Sequence, residues 1–374
     1  MNGTYCPYAW IGVMVSPDHL APCCNFLGGI PVDNAFSIKE ALHSPLFEDI
    51  RSKMLNGEKV SGCSNCYNLE SFNEKSPRQY AIETYGLPTE IKTQHLDINF
   101  DNICNLKCRM CQSSSSHLLF EEEQEIYGKT LSKSKYNIVK FDLDIDNLTS
   151  VQVSGGEPLL SPSFQEFCKN VDCDELELTV NTNATIKPKE HIESTFKNCK
   201  KLKINISIDA TWELNDFLRK KSNFNDILHV LDYKNLKQTR NSETDLNIHS
   251  VVSLYNVNYM KQIKDFFKEN YQGFEYSYRI LYWPQQMSIK NAPREYKNIL
   301  LEQFNTYNDS FFNTIIEELK YDGENYFDYF IDYNQRVDLI RKESLEKVNN
   351  FLYNYIQNYN YKQILKTDDF LKIK

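Results

Sequence analysis

No run of about 18 apolar residues occurs in this 374-residue chain, so no membrane-spanning helix is expected. The opening Met1-Asn-Gly-Thr-Tyr-Cys-Pro-Tyr8 lacks the charged and apolar blocks of a secretory signal, and a cytoplasmic location is the expectation. An excess of positive charge is missing as well. Forty-two basic side chains against 51 acidic ones leave a net charge of -9. That weighs against a nucleic-acid partner, because binding a phosphate backbone needs a basic surface. The two signs are mixed along the chain, as on a solvated surface, and no internal repeat is present. The rest is ordinary for a globular protein: 41% hydrophobic and 25% charged, long enough for one large domain and a smaller one.

Cysteine is the residue that stands out, with eleven in the chain. In a cytoplasmic setting, clustered thiols point to metal rather than to disulfides. Cys6, Cys23, Cys24, Cys63 and Cys66 form one group, and Cys104, Cys108 and Cys111 a second. Cys168, Cys173 and Cys199 have no ligand-like spacing and read as small buried apolar residues. The second group, in Asp101-Asn-Ile-Cys-Asn-Leu-Lys-Cys-Arg-Met-Cys111, has the spacing C-x3-C-x2-C. Three thiolates on one short loop hold three irons of a [4Fe-4S] cube and leave the fourth open to an exchangeable ligand. Zinc is the competing occupant, but it usually takes two separated ligand pairs.

The chain divides in three. Residues 1–80 read as a small cysteine-rich α+β module, with a strand over Trp10–Val15, a turn at Pro17-Asp18, and a helix over Ser37–Asn56. Ser37 and Glu40 would form a capping box there, and Gly57 would stop the helix. A module this small needs a docking partner or a metal staple. Over residues 94–285, strands are expected at His95–Phe100, Ser150–Val153, Leu176–Val180, Leu202–Ile208, Asp245–Ser253 and Glu275–Leu281. Helices are expected between them, at Ser114–Ile126, Ser163–Val171, Pro188–Phe196, Asn225–Asn235 and Val257–Glu269. The alternation implies an α/β fold with a parallel sheet, open or a partial barrel. The Ile, Val and Leu content of the strands implies cover on both faces. Gly128–Lys135 reads as a surface loop. Residues 286–374 read as a helical extension whose Tyr and Phe side chains pack on the main domain.

The triple-cysteine loop directly follows the first of these strands, where α/β folds place their sites. With Met110 before its last cysteine, it resembles the signature of the radical S-adenosylmethionine (SAM) superfamily. Ser154-Gly-Gly-Glu-Pro158 follows the second strand as that family's glycine-rich motif does. Thr182-Asn183-Ala184 resembles its Thr-Asn-Gly turn, with alanine in place of the glycine, and Asn205-Ile-Ser-Ile-Asp209 resembles its fourth-strand motif. The resemblance implies a partial (β/α)6 TIM-type barrel and a cofactor site of Met110, Gly155, Gly156, Glu157, Pro158, Asn183, Ser207, Asp209 and Arg219. Within it, Gly155 and Gly156 would let backbone approach the ligand, Glu157 would accept from the SAM ammonium, and Arg219 would meet the SAM carboxylate.

The N-terminal cysteines, in order of elements, resemble the auxiliary-cluster module called twitch, the shortened SPASM domain. Glu70 and Ser76-Pro-Arg78 resemble the residues found just downstream of that module. The implied ligands are Cys6, Cys63, Cys66 and either Cys23 or Cys24, with Cys23 preferred by spacing. Four thiolates would hold a second [4Fe-4S] cluster, and a structural zinc is the alternative. The function implied is reductive cleavage of SAM to a 5′-deoxyadenosyl radical that takes hydrogen from a substrate. A peptide or protein is the first choice of substrate and a small molecule the second; the outcome would be oxidation, epimerisation or cross-linking. A flavodoxin or ferredoxin-type protein would supply the electron. The rival is a non-catalytic iron–sulfur or zinc scaffold or redox protein.

Overall fold

Strands of alternating character build one large sheet. The computed structural model describes residues 3–17, 19–31, 38–71, 75–132, 134–138, 148–232, 244–321 and 323–361. Its strands are β1 (Gly12–Val15), β2 (His19–Ala21), β3 (Ile30–Pro31), β4 (His95–Asn99), β5 (Lys107–Cys108), β6 (Ser150–Ser154), β7 (Glu177–Thr182), β8 (Lys201–Ser207), β9 (Arg219–Lys220), β10 (Thr244–Val252) and β11 (Glu275–Ile280). Nine of them form a sheet in the order β11-β10-β8-β7-β6-β4-β1-β2-β3, and β5 pairs with β9 in a separate ribbon. From β11 to β4 every neighbouring pair is parallel, which gives the six expected strands in a mixed α/β fold. Strand β1 joins them, parallel to β4 with Met14 opposite Asp97. The sheet thus runs across the division expected near residue 80. In this sheet the β1–β2 and β2–β3 pairings are antiparallel, as is the β5–β9 ribbon.

The two faces differ, against the expectation of apolar cover on both. Val151, Val153, Leu178, Val180, Leu202, Ile204, Ile206 and Ile248 are buried and share one core with Phe164, Phe167, Ile192 and Phe196 of the covering helices. Gln152, Ser154, Thr179, Asn181, Lys203, Asn205 and Ser207 alternate with them and stay half-buried. Apolar cover is therefore confined to one face, and the other is polar and partly exposed. A ladder of amides crosses it. Ser277 donates to Asn247 Oδ1 (3.0 Å), Asn247 to Asn205 Oδ1 (3.1 Å), Asn205 to Asn181 Oδ1 (2.8 Å), and Asn181 to the Val153 carbonyl (3.3 Å).

Local differences have local causes. The expected Ser37–Asn56 helix is two, Ile38–Leu42 and Pro45–Leu55. Pro45 has no N–H to give a preceding turn and is accepted at the first helical position. The Ser37 cap, Asp18 of the first turn, one residue of the Gly128–Lys135 loop and the end of the Asn225–Asn235 helix lie outside the described residues. Trp10 and Ile11 belong to a helical turn, Tyr8–Ile11, ahead of β1. The aromatic extension packs on the main domain, with the ring of Phe330 4.8 Å from that of Tyr255. Among the described residues no helix is long and apolar enough to cross a membrane.

His95 at the start of β4 is buried, and burial lowers its pKa from 6.5 to about 4. The neutral ring is the form the fold accepts. Its contribution is therefore complete above pH 6.5 and is lost as pH falls from 6.5 toward 4, by about 3 kcal/mol in all. Urea midpoints measured across that range should fall steeply for the native chain and less steeply for His95→Gln.

Candidate cluster and cofactor site

The cysteine loop leaves the carboxyl end of β4 and is held from all sides. Asp101, buried, accepts from the Ile103 amide through Oδ1 (2.9 Å) and from Ser161 Oγ through Oδ2 (2.5 Å). Asn102 Nδ2 donates to the Ser113 carbonyl (2.7 Å), Ser116 Oγ to the Leu106 carbonyl (2.7 Å), and the Cys104 amide faces His117 Nδ1 at 3.3 Å. The β5–β9 ribbon sets Cys108 opposite Arg219.

The three thiols come within one another's electrostatic reach. Burial, and then the charge of Cys108, pushes the Cys104 thiol up to about 12. Cys111 is raised by burial and by Cys108 and Cys104. Cys108 is raised by burial, with Arg219 opposing. As they stand, no three His, Cys, Asp or Glu side chains among the described residues are grouped tightly enough to share one metal ion; a cube instead ties each thiolate to a different iron. Three thiolates drawn together, one buried and two partly buried, need a strong compensating positive charge, and Arg219 beside Cys108 is already paired with Asp209. The donor set therefore fits an iron–sulfur group.

The glycine motif packs directly against the cysteine loop. Gly155 has φ +113°, and a Cβ there would lie 2.8 Å from the Asp101 carbonyl. A Cβ on Gly156 would lie 2.2 Å from the Ile103 carbonyl oxygen. The amide of Gly156 donates to Asp101 O (3.0 Å) and that of Glu157 to Ile103 O (2.8 Å). The close approach is to the backbone of the cysteine loop. Glu157 is buried and takes three protein donors: Thr182 Oγ1 (2.7 Å), the Asn183 amide (2.7 Å) and the Leu159 amide (3.1 Å). Burial raises its pKa, with these donors opposing. Its carboxylate joins the glycine motif to the Thr182-Asn183-Ala184 turn. In that turn Ala184 adopts the left-handed conformation, φ 55°, that glycine would adopt without strain. Asn183 Nδ2 reaches back to Asn105 Oδ1 (2.9 Å).

Arg219 and Asp209, expected to contact the cofactor separately, form an ion pair at 2.8 Å with both side chains buried. Arg219 Nη1 also lies 3.9 Å from Cys108 Sγ. Ser207 is half-buried on the polar face, Pro158 is buried, and Met110 packs partly on the core.

A further set of residues was not foreseen. Arg109, inside the cysteine motif, is fully buried. Its guanidinium lies 3.6 Å from the Phe217 ring centroid and reaches Asp338 (2.5 Å), Glu343 (2.8 Å) and Asn334 (3.1 Å). Tyr333 Oη donates to the Arg109 carbonyl (2.8 Å). Glu122 pairs with both Arg341 (2.5 Å) and Lys107 (2.7 Å). The Phe327–Arg341 helix and the segment after it thus clamp the loop. An arginine among buried thiols was the one available signal, since such a charge requires partners.

Near the N-terminus, Cys6 is pushed up to about 12 by burial and by Cys63 and Cys66. Cys23 is raised by burial, then by Cys6, Cys66 and Cys63. These four thiols neighbour one another. For Cys24 the largest influence after burial is Asp97 of β4, followed by Cys23. Glu70 is held by Arg78, through Nε at 2.9 Å and a second contact from Nη2, and Arg78 Nη1 donates to the Tyr5 carbonyl (2.7 Å) beside Cys6.

A cysteine loop at the carboxyl end of one strand of a parallel α/β sheet lies where such folds place their sites. Residues 98–241 match the radical SAM superfamily, and the chain carries a radical SAM domain. The superfamily implies a [4Fe-4S] cluster and SAM. An uncharacterized protein of Methanocaldococcus jannaschii is 31% identical over 135 residues, 35% of this chain and 43% of that protein. A probable GTP 3′,8-cyclase of the same organism is 26% identical over 182 residues, 46% and 55% of the two chains. The chain spans about half the length of these relatives. Distant likeness extends to Streptococcus suis SuiB bound to S-adenosylmethionine (15% identity, TM-score 0.36, 72% of this chain and 59% of that one). It extends also to anSMEcpe with bound AdoMet (20%, TM-score 0.37, 59% and 62%).

Proposed function

We propose that the chain is a radical SAM enzyme that modifies a peptide or protein side chain, with a small molecule as the second choice of substrate. The observation that carries this reading is the meeting of Cys104, Cys108 and Cys111 at the carboxyl end of β4, beside the Gly155-Gly156-Glu157 motif. When bound, a cluster with one iron free of protein supplies the electron that cleaves SAM to methionine and a 5′-deoxyadenosyl radical, which takes hydrogen from the substrate. The chain's own part is placement. Cys104, Cys108 and Cys111 hold the cluster, and Gly155 and Gly156 bring the second strand end onto their loop. Glu157 fixes the Asn183 turn, while Arg219 and Asp209 keep charge balanced beside Cys108. Ser207 and the amide ladder face the interior in which a substrate would lie.

Cys6, Cys23, Cys63 and Cys66 are the ligands of the second cluster in this reading, as a twitch-like module and a place for an electron to go. The mutual influence of their thiols supports it, and the turn of Cys24 toward Asp97 favours Cys23 as the fourth ligand. A flavodoxin or ferredoxin-type reductant in the cytoplasm completes the proposal.

Anaerobic reconstitution tests it. About eight irons per chain and dithionite-dependent 5′-deoxyadenosine are expected for two cubanes. Cys108→Ala should abolish cleavage while leaving about four irons in place. Cleavage that persists in this variant rules the loop out. Absence of cleavage in fully loaded native protein favours the non-catalytic scaffold, and about four irons with one zinc removes the second cluster.

A further inference from the structure

The clamp on the cysteine loop has an outer side. Asp338 and Glu343, which hold Arg109 from within, also line a groove of about 450 Å³. Its apolar wall is Ile331, Leu339, Leu345, Tyr353 and Ile356. Leu339, on the Phe327–Arg341 helix, is 80% exposed. A leucine left that open beside an apolar concavity marks a surface that another molecule can cover.

The same face is basic. Glu343 Oε1 takes the Lys220 ammonium at 2.7 Å, and Lys220 lies opposite Lys107 in the β5–β9 ribbon, next to the Cys108–Arg219 pair. The groove is thus continuous with the ribbon that carries a cysteine of the triple motif. The carboxylates here are taken up within the face. Glu122 is held by Arg341 and Lys107, Asp209 by Arg219, and Asp338 and Glu343 by Arg109. Asp216 accepts from the Ser222 hydroxyl and the Phe224 amide. Lys221, at the end of the ribbon, and Lys342, at the groove, are left over. Both are exposed, and neither forms an ion pair among the described residues. Both adopt the left-handed conformation, φ 77° and 53°, in which glycine would be unstrained. A chain of net charge -9 therefore presents two uncompensated cations and an open leucine beside its cysteine loop.

We propose that the β5–β9 ribbon and the adjoining groove dock a small acidic one-electron carrier protein. The inference rests on the radical SAM reading and gives it the place where the electron enters. The groove and Leu339 take an apolar side chain of the carrier, and Lys221 and Lys342 meet its carboxylates, an apolar centre with a charged rim. The lysines select the sign of the partner, since a basic carrier would meet like charge here. Cys108 belongs to the ribbon and is only partly buried, so an electron delivered here arrives beside a cluster ligand. One electron leaves the carrier, from an anionic flavin hydroquinone or a reduced [2Fe-2S] centre. One electron enters the cluster held by Cys104, Cys108 and Cys111. No bond is made or broken, and no proton moves at this surface.

The test titrates the cluster-loaded full chain with three small proteins: a bacterial flavodoxin, a plant-type [2Fe-2S] ferredoxin and, as the basic control, a cytochrome c. At least one acidic carrier should bind, cytochrome c should not, and binding should weaken as salt rises. Lys221→Glu combined with Lys342→Glu should weaken it about tenfold. Leu339→Asp should also weaken it about tenfold. Lys197→Glu, on the helix Glu190–Asn198 that leads into the amino end of β8, should leave binding unchanged. 5′-Deoxyadenosine is measured on the same samples. Formation driven by the carrier, below saturation, should fall by the same factor in both variants, while formation driven by dithionite stays constant. Equal binding by native and charge-reversed chains overturns the surface, as does binding of neither acidic carrier. If the charge-reversed chain does not fold, Leu339→Asp decides in its place. Self-association that Leu339→Asp abolishes while carrier binding persists gives the groove to a second copy and also overturns it. Salt-sensitive binding that the variants weaken, without cleavage by dithionite, counts against the enzyme reading alone. Cleavage by dithionite with binding indifferent to the variants counts against the docking surface alone.

Discussion

Arg109→Ala should destabilise the chain by about 3 to 5 kcal/mol, the usual result of removing one partner from a buried ion-pair network. The guanidinium is the meeting point of Asp338, Glu343 and Asn334, and it covers the Phe217 ring. Alanine leaves Asp338 without its cation and Glu343 with Lys220 alone, beside a void the size of the lost side chain. Because Arg109 lies between Cys108 and Cys111, the damage falls on the loop that carries the thiols. Iron content after reconstitution should drop with stability, and Arg109→Lys should recover part of the stability but not the fork that engages several acceptors at once. Urea unfolding paired with iron counting checks this. An Arg109→Ala chain with native stability would overturn the clamp, whatever its iron content.

Gly156→Ala should lower 5′-deoxyadenosine formation about 100-fold, since a displacement of about 1 Å at a reacting site has that effect. The new methyl would sit 2.2 Å from the Ile103 carbonyl oxygen and 2.6 Å from its carbon. Those are backbone atoms and no rotamer change relieves them. The Asp101–Cys104 segment must move away, and the amide bonds from Gly156 and Glu157 that hold it are lost together. Steric strain of this kind costs about 1 to 3 kcal/mol. The global fold should persist by circular dichroism, while cleavage and cluster retention fall. Gly155→Ala is the milder comparison, with a nearest contact of 2.8 Å and a positive φ to sustain. Equal turnover by Gly156→Ala and native chain would show that the loop does not depend on this contact.

The two variants lie on opposite sides of what the sequence could show. The six parallel strands were legible because short β-branched runs alternate with helical segments, a local signal; their observed limits differ from the expected ones by a residue or two. The cysteine loop and the glycine motif were legible for the same reason, being short and contiguous. The backbone contact the glycines make was not. What packs against them depends on what lies across the gap, and here that includes Ile103. The polar face of the sheet was present in the alternation of Asn181, Asn205 and Asn247 with aliphatic residues, but the aliphatic half dominated the reading. The interaction of Cys24 with Asp97 was not legible either, since it depends on where β4 lies. The clamp on Arg109 joins residues more than 220 positions apart, a separation at which pattern carries no information.

That separation also sets an order of events. Contacts between distant parts of a chain form late, because the loop closure must come first. During synthesis the Cys104–Cys111 segment emerges long before Asp338 and Glu343, at roughly 5 to 20 residues per second. For that interval its arginine has no carboxylate to meet and its thiols have no fixed frame. Until the Phe327–Arg341 helix and the segment after it arrive, the loop lacks the clamp that Asp338 and Glu343 supply.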